Sequence, residues 1–119
     1  MDMDALKITT FQAYLFWENI DKNLDNLSLR LSAIREKTDL IILPEMFNTG
    51  FTMNVEKCAE KSDGKTMHWM LETAQQYDCV VAGSLIIEEE GKYYNRFIWM
   101  TKEGNYVKYD KRHLFGMAG

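Results

Sequence analysis

The sequence predicts an α/β fold in which helices pack on a mixed β-sheet. Strand-like and helix-like segments alternate at first, and turns then join the remaining strand-like segments. This order, β-α-β-α-β followed by a hairpin meander, is typical of a sheet with both parallel and antiparallel strands. No internal repeat and no Ser/Gly-rich linker divides the chain, so we expect one domain over residues 1–119.

The first part of the chain predicts a strand, a helix and a second strand. Residues 6–11 are rich in β-branched side chains, as in a short strand. After a bend around residues 14–17, apolar side chains recur every three or four residues, which indicates a helix. They are Ile20, Leu24, Leu27, Leu31 and Ile34. The apolar run 39–43 ends at Pro44, and this pattern predicts a buried parallel strand.

The later part of the chain predicts a loop, a helix and three strands. The loop covers residues 45–53, and a second amphipathic helix covers residues 65–77. The strands are expected at residues 79–87, 93–100 and 106–109. Glycine-containing turns at residues 88–91 and 103–105 separate them, so we expect these strands to pair with their neighbours as a meander.

Composition and charge argue against several classes of partner. The net charge is −4, and Lys and Arg are scattered among Asp and Glu, which argues against a nucleic-acid surface. No apolar run approaches the roughly 20 residues that span a bilayer, and the N-terminal residues are acidic where a signal peptide is basic. Cys58 and Cys79 make no disulfide framework, so we expect reduced thiols in a cytoplasmic protein. His68 and His113 lack spaced ligand partners, so no metal site is expected.

Two ionisable residues follow predicted strands, at the positions where function gathers in parallel sheets. Glu45 comes directly after Pro44, and Lys111 comes in a polar turn after the predicted strand 106–109. A carboxylate in such a place can serve as a general base. Position alone leaves ordinary surface roles open for both charges, so it indicates a candidate site without a reaction.

The motifs around these two residues are more specific than their positions. Segment 43–51 reads LPEMFNTGF and resembles the first active-site motif of the nitrilase superfamily of carbon–nitrogen hydrolases. Segment 109–115 reads YDKRHLF and resembles the second motif. Asn95-Arg96 resembles a pairing that is common in the family. The resemblance extends over nearly the whole chain from Leu6, and within the superfamily the likeness is strongest to omega-amidases.

The resemblance implies hydrolysis of a small amide through a cysteine thioester, without metal or organic cofactor. Glu45 would be the general base, and Lys111 would stabilise the oxyanion. Phe51 and Tyr109 are expected to wall the substrate pocket. Omega-amidases act on monoamides of 2-oxo dicarboxylic acids such as 2-oxoglutaramate. The family fold is a four-layer αββα sandwich, of which this chain would be the N-terminal portion, and a homodimer is expected.

The family also uses a second glutamate and a nucleophilic cysteine beyond the lysine, and residues 112–119 contain neither. Cys79 is predicted at the opposite end of the sheet from Glu45, and Cys58 does not match the position of the nucleophile. We therefore expect a catalytic domain that is incomplete at its C-terminus and a chain that is inactive by itself. Two alternatives stay open: a non-catalytic α/β module that binds a ligand or partner, and a nitrilase-type enzyme acting on carbamoyl amines.

Overall fold

The computed structural model describes residues 5–12 and 15–113. Tyr14 of the predicted bend and residues 114 and 115 of the second motif lie outside them. The described residues form three helices and five strands. In chain order these are β1 (Ile8–Thr10), α1 (Ile20–Leu31), β2 (Leu40–Ile42), α2 (Val55–Cys58), α3 (Lys65–Tyr77), β3 (Val80–Glu89), β4 (Lys92–Met100) and β5 (Tyr106–His113).

The strands form one sheet in the order β1-β2-β3-β4-β5. Strands β1, β2 and β3 are parallel, and β3, β4 and β5 pair antiparallel. The crossovers between the parallel strands contain α1 and then α2 and α3, whereas tight turns join the antiparallel strands. The predicted α/β class with a mixed sheet and packed helices is therefore confirmed.

The ends of most predicted strands shift by one or two residues, and two predicted elements differ by three or more. The first helix ends at Leu31. Ile34 lies beyond the helix, in a turn where its N–H donates to the Leu31 carbonyl. The last strand continues to His113 instead of ending at Tyr109, so the prediction that Lys111 lies in a turn is wrong. The extension forms because β4 is long enough to pair with β5 as far as Tyr94. Short helix α2 was not predicted.

Helices α1 and α3 cover one face of the sheet and form the larger core. The apolar stripe of α1 and the inner side of α3 pack against alternate residues of the strands, as the helical spacing predicts. The fully buried members of this core are Leu27, Ile41, Phe47, Met70, Ala74, Val81, Leu85, Ile87 and Ile98. The packing of two helices on the sheet fixes β2, which leads into the loop carrying Glu45, and its neighbour β3.

The opposite face of the sheet is less covered. A smaller core of Met46, Val55, Cys58 and Ile86 lies there. Farther along the same face, Trp99, Val107 and Tyr109 expose much of their side chains. In the described part of the chain, no helix is both long enough and apolar enough to span a membrane.

Candidate active site

Glu45 is presented by a sharp turn that follows β2. The chain continues beside β3 after Ile42, because the Leu43 N–H donates to the Ala82 carbonyl at 2.8 Å. The Met46 N–H then donates to the buried Ser84 hydroxyl at 3.0 Å. Met46 adopts a left-handed backbone conformation with φ of 50°, which is strained for a residue with a side chain. The N–H groups of Thr49 and Gly50 donate to the Met46 carbonyl, so a tight turn follows the glutamate directly.

Phe47 anchors this turn in the larger core. Its ring is fully buried and lies 5.8 Å from the ring of Trp69, centroid to centroid. It also packs directly on Gly83 of β3, where an added Cβ would lie 2.9 Å from a ring carbon of Phe47. Glycine is therefore needed at position 83 for the ring to sit this close to the sheet. The packing holds the loop that starts at Glu45.

Lys111 lies at an irregularity in the pairing of β4 with β5. Arg96 pairs with Asp110, and Asn95 pairs with Arg112, so Lys111 is an extra residue between two paired positions. An extra residue of this kind is a β-bulge, which bends a strand and redirects a side chain. The side chain of Lys111 reaches Glu45, 66 residues earlier in the sequence.

Buried Arg96 fixes the strands beside the bulge. Its side chain is 2% exposed and donates to both carboxylate oxygens of Asp110, at 2.6 and 3.1 Å. A third donor of Arg96 contacts Glu89 at 2.8 Å. Asp110, followed by Glu89, raises the pKa of Arg96, so the guanidinium stays charged. This clamp holds the residue that directly precedes Lys111.

Among the described interactions, two hydrogen bonds reach the same oxygen of the Glu45 carboxylate. Lys111 Nζ and Asn95 Nδ2 each donate to Oε2 at 3.1 Å. The side chains of Glu45 and Lys111 are 50% and 40% exposed, respectively, so both can meet a small molecule. Asn95 by contrast is 6% exposed. A carboxylate and a primary ammonium in contact can supply a base and a cation to one reacting group.

The other predicted site residues are more exposed than Glu45 and Lys111. Phe51 follows Gly50 in the loop, is 66% exposed, and accepts a hydrogen bond from Trp17 Nε1 on its carbonyl. Tyr109 lies on β5 two residues before Lys111 and is 68% exposed. Their roles as pocket walls stay predictions.

Both cysteines are buried. Cys79 precedes β3 at the end where Val80 pairs with Leu40, whereas Glu45 follows the other end of β2. Cys58 ends α2 and belongs, like Met46, to the smaller core. Burial raises the pKa of both thiols, which disfavours the reactive thiolate.

Two interactions of the site were not predicted from the sequence. These are the hydrogen bond from Asn95 to Glu45 and the ion pair of Arg96 with Asp110. The available signal was a polar pair inside an otherwise apolar strand, where a buried polar group needs a partner. Sequence position does not say which distant residue that partner is.

The chain matches known proteins over nearly all of its length. Residues 7–118 match the family model described as carbon-nitrogen hydrolase. The omega-amidase YafV of Yersinia enterocolitica is 36% identical over 98% of this chain and 45% of its own length. The omega-amidase YafV of Escherichia coli is 39% identical, over 98% of this chain and 44% of its own. This chain therefore spans less than half the length of these relatives.

A solved structure shows the same arrangement of elements. A CN-hydrolase superfamily protein from Xanthomonas campestris, with an arsenic adduct in its active site, superposes with a TM-score of 0.86 at 35% identity. The match covers 95% of this chain and 43% of that one. The crystal structure of an N-terminal amidase, at 19% identity and a TM-score of 0.78, shares the fold over 89% of this chain and 28% of its own.

Proposed function

The chain belongs to the carbon–nitrogen hydrolase family, as its motifs predict, and we propose that the intact protein is an amidase that releases ammonia from a small amide. The observation that carries the proposal is the contact of Lys111 Nζ with Glu45 Oε2 at 3.1 Å. Two parts of the chain, each with its own family motif, supply one charge each. The names of the relatives, which are omega-amidases and a 2-oxoglutaramate amidase of Bacillus subtilis, support the same reaction class.

The proposed reaction is acyl transfer through a cysteine thioester. Glu45 takes the proton of the cysteine thiol, the thiolate attacks the amide carbonyl, and Lys111 stabilises the negative oxygen that results. The carbon–nitrogen bond then breaks, and the protonated Glu45 gives its proton to the departing ammonia. Water attacks the thioester with Glu45 again as base, which releases the carboxylic acid and restores the thiol.

The nucleophile of this scheme is neither Cys58 nor Cys79. Both thiols are buried, and burial raises the pKa of each. We propose that the nucleophile lies outside residues 1–119 and that this chain alone releases no ammonia. Ammonia release from 2-oxoglutaramate by the purified 119-residue chain would contradict this part of the proposal.

We propose a monoamide of a 2-oxo dicarboxylic acid as the substrate of the intact protein. Phe51 and Tyr109 would contact its carbon chain. Both expose aromatic surface, and in the sequence Phe51 follows Glu45 by six residues and Tyr109 precedes Lys111 by two. The competing substrate class is a carbamoyl amine. A panel of 2-oxoglutaramate, glutamine and a carbamoyl amine, assayed for ammonia release, separates these classes. Release from the carbamoyl amine alone would overturn the 2-oxo acid assignment.

The decisive experiment compares site variants of the intact protein with matched controls. Glu45→Gln and Lys111→Ala should each abolish ammonia release and leave the fold intact. The controls are Glu103→Gln in an exposed turn and Lys108→Ala on the same strand as Lys111. Both controls should keep their turnover. If the intact wild-type protein hydrolysed no member of the panel, the alternative of a non-catalytic binding module would replace the amidase.

We also propose that the intact protein is a cytoplasmic homodimer that uses no cofactor. The family resemblance is the support for all three statements. Light scattering after size-exclusion chromatography measures the mass in solution, and a monomeric mass would contradict the dimer. Fractionation of cells tests the compartment. Full activity after dialysis against a chelator is the expected result for a reaction without metal.

A further inference from the structure

We infer that Asn95 is a positioning residue that orients the carboxylate of Glu45, and that the protein retains it at a cost in folding stability. The inference rests on the proposed function, because it assigns a task within the same site. It is carried by the hydrogen bonds and the surroundings of one buried amide.

Asn95 lies in apolar surroundings that do not favour a polar side chain. It pairs with Ile86 across the antiparallel ladder, so the two side chains project from the same face of the sheet. Ile86 is fully buried in the smaller core with Met46, and Tyr93 packs against that core. Asn95 is itself almost fully buried. An apolar residue of the same size would suit this position as well or better.

The amide of Asn95 is only partly hydrogen-bonded. A carboxamide offers two donors and an acceptor oxygen. Nδ2 donates to Glu45 Oε2 at 3.1 Å, whereas buried Oδ1 has no partner among the described residues. A buried acceptor without a partner loses its hydration and gains nothing in return, which destabilises the folded state. The gain that offsets this loss is the single bond to Glu45.

Another buried asparagine shows what full pairing looks like. Asn23 Oδ1 accepts from the Phe16 N–H, and its Nδ2 donates to the carbonyls of Phe16 and Asn48. Every one of these bonds joins backbone segments, so Asn23 stabilises the fold. Asn95 makes no such backbone link in the described bonds, and its one partner is the proposed general base.

Asn95 fixes the carboxylate in a way that Lys111 does not. The lysine reaches Oε2 with a long side chain that is partly exposed and can rotate. The asparagine has a short side chain that is held by burial on β4, which pairs with strands on both sides. A reversed amide would place Oδ1 against the carboxylate, which is repulsive. Asn95 therefore restricts the rotation of the Glu45 carboxylate, as precise general-base catalysis requires.

The first arm of the test measures turnover and stability of the intact protein. Asn95→Leu should lower kcat at least tenfold with KM within about twofold of wild type, while the urea midpoint stays equal or rises. The matched control is Thr73→Val, another buried polar-to-apolar change, placed on α3. It should leave kcat unchanged. A wild-type kcat for Asn95→Leu, or a urea midpoint below that of the wild type, would overturn the inference.

Asn95→Asp keeps the shape of the side chain and replaces the donor by a charge that repels Glu45. It should fold and lose at least as much kcat as Asn95→Leu. If Asn95→Leu does not fold, the kcat of Asn95→Asp tests the inference by itself. A wild-type kcat in Asn95→Asp would then overturn the inference.

The second arm does not depend on turnover. Nuclear magnetic resonance of the intact protein follows the side-chain NH₂ protons of Asn95, assigned by their loss in Asn95→Leu. Glu45→Gln should shift one of these protons upfield, because a neutral acceptor replaces a charged one, and Glu103→Gln should not. An unshifted proton would overturn the inference. The two proposals can fail separately. If the wild-type protein hydrolyses no amide but the Asn95 proton still shifts in Glu45→Gln, the proposed function is refuted, whereas the orientation of Glu45 by Asn95 is supported.

Discussion

Glu45 and Glu60 are two glutamates of the same region with opposite surroundings. Glu60 accepts from the backbone N–H of Thr66 at 2.8 Å, from the hydroxyl of Thr66, and from Nδ2 of buried Asn48 at 3.2 Å. Its described hydrogen-bond donors are neutral. Glu45 accepts from a buried amide and from a half-exposed ammonium. The Glu60 carboxylate joins two parts of the fold, whereas the Glu45 carboxylate is half-exposed and contacts the Lys111 ammonium.

The difference separates a structural carboxylate from the proposed general base. Gly64, at the N-cap of α3, has no side chain to cap the helix, and Glu60 supplies the missing acceptor. Through Asn48, Glu60 also ties the helix to the loop that follows Glu45. A carboxylate engaged by rigid donors has little freedom to exchange protons with a substrate. Glu45 keeps that freedom because one of its partners is a lysine that can also contact an oxyanion.

The largest expected difference between the two glutamates is in turnover. Glu45→Gln should lower kcat by about 10²–10⁴, the usual contribution of a general base. Glu60→Gln should keep most of its turnover per folded molecule, because Glu60 is not in the described contacts of Glu45. Steady-state ammonia release by the intact protein measures both. Equal losses in the two variants would remove the distinction.

Folding stability should show the reverse order. Glu60→Ala leaves the Thr66 N–H and Asn48 Nδ2 without their acceptor, which should lower the free energy of unfolding by about 1–3 kcal/mol. Glu45→Ala should lower it by less, about 1 kcal/mol, because the one buried donor that loses its acceptor there is Asn95 Nδ2. Urea titrations of the intact protein provide the values. A larger loss in Glu45→Ala would make Glu45 structural as well.

Two glycines test how the two carboxylates are held. Gly83→Ala would place a Cβ 2.9 Å from the Phe47 ring, which anchors the Glu45 turn. Gly64→Ala would place a Cβ 2.8 Å from Glu60 Oε1. Each should cost about 1–3 kcal/mol through overpacking, but only Gly83→Ala should also lower kcat. Unchanged kcat in Gly83→Ala would show that the turn keeps Glu45 in place without this packing.

A third carboxylate, Glu18, gives the smallest expected effect and depends on pH. A hydrogen bond from Thr52, together with Lys57, holds its pKa below the ordinary value of 4.5. A depressed pKa in the folded state means that the stabilisation is present above pH 4.5 and is lost as the pH falls below it. Thr52→Val should weaken this acid dependence. The urea midpoint measured across that range checks it, and an unchanged pH profile would contradict it.

Sequence alone predicted most of the fold because apolar spacing decides it. Helix α3 begins and ends at the predicted residues 65 and 77, since its apolar stripe stops where Asp78 adopts a left-handed conformation. The end of β5 could not be predicted, because residues 110–113 are all polar and owe their strand geometry to pairing with β4. Tertiary pairing, rather than local preference, decided that boundary.

The candidate site also has a part that the sequence predicts and a part that only the folded structure shows. Glu45 and Lys111 were found because each lies in a motif, and the structure places their side chains in contact. Asn95 lies 50 residues from Glu45 along the chain, so only the folded sheet shows that they are bonded. The catalytic roles of Glu45 and Lys111, and the pocket roles of Phe51 and Tyr109, stay predictions.

The antiparallel meander of β3, β4 and β5 has a consequence for the order of events during folding. Asn95 and Lys111 lie on strands joined by a tight turn, so closure of one hairpin brings them onto the same patch of sheet. Glu45 arrives only when the crossover through α2 and α3 has closed around β2 and β3. Closing that longer loop loses more chain entropy, which delays it. We therefore expect the cationic half of the site to form before the carboxylate reaches it.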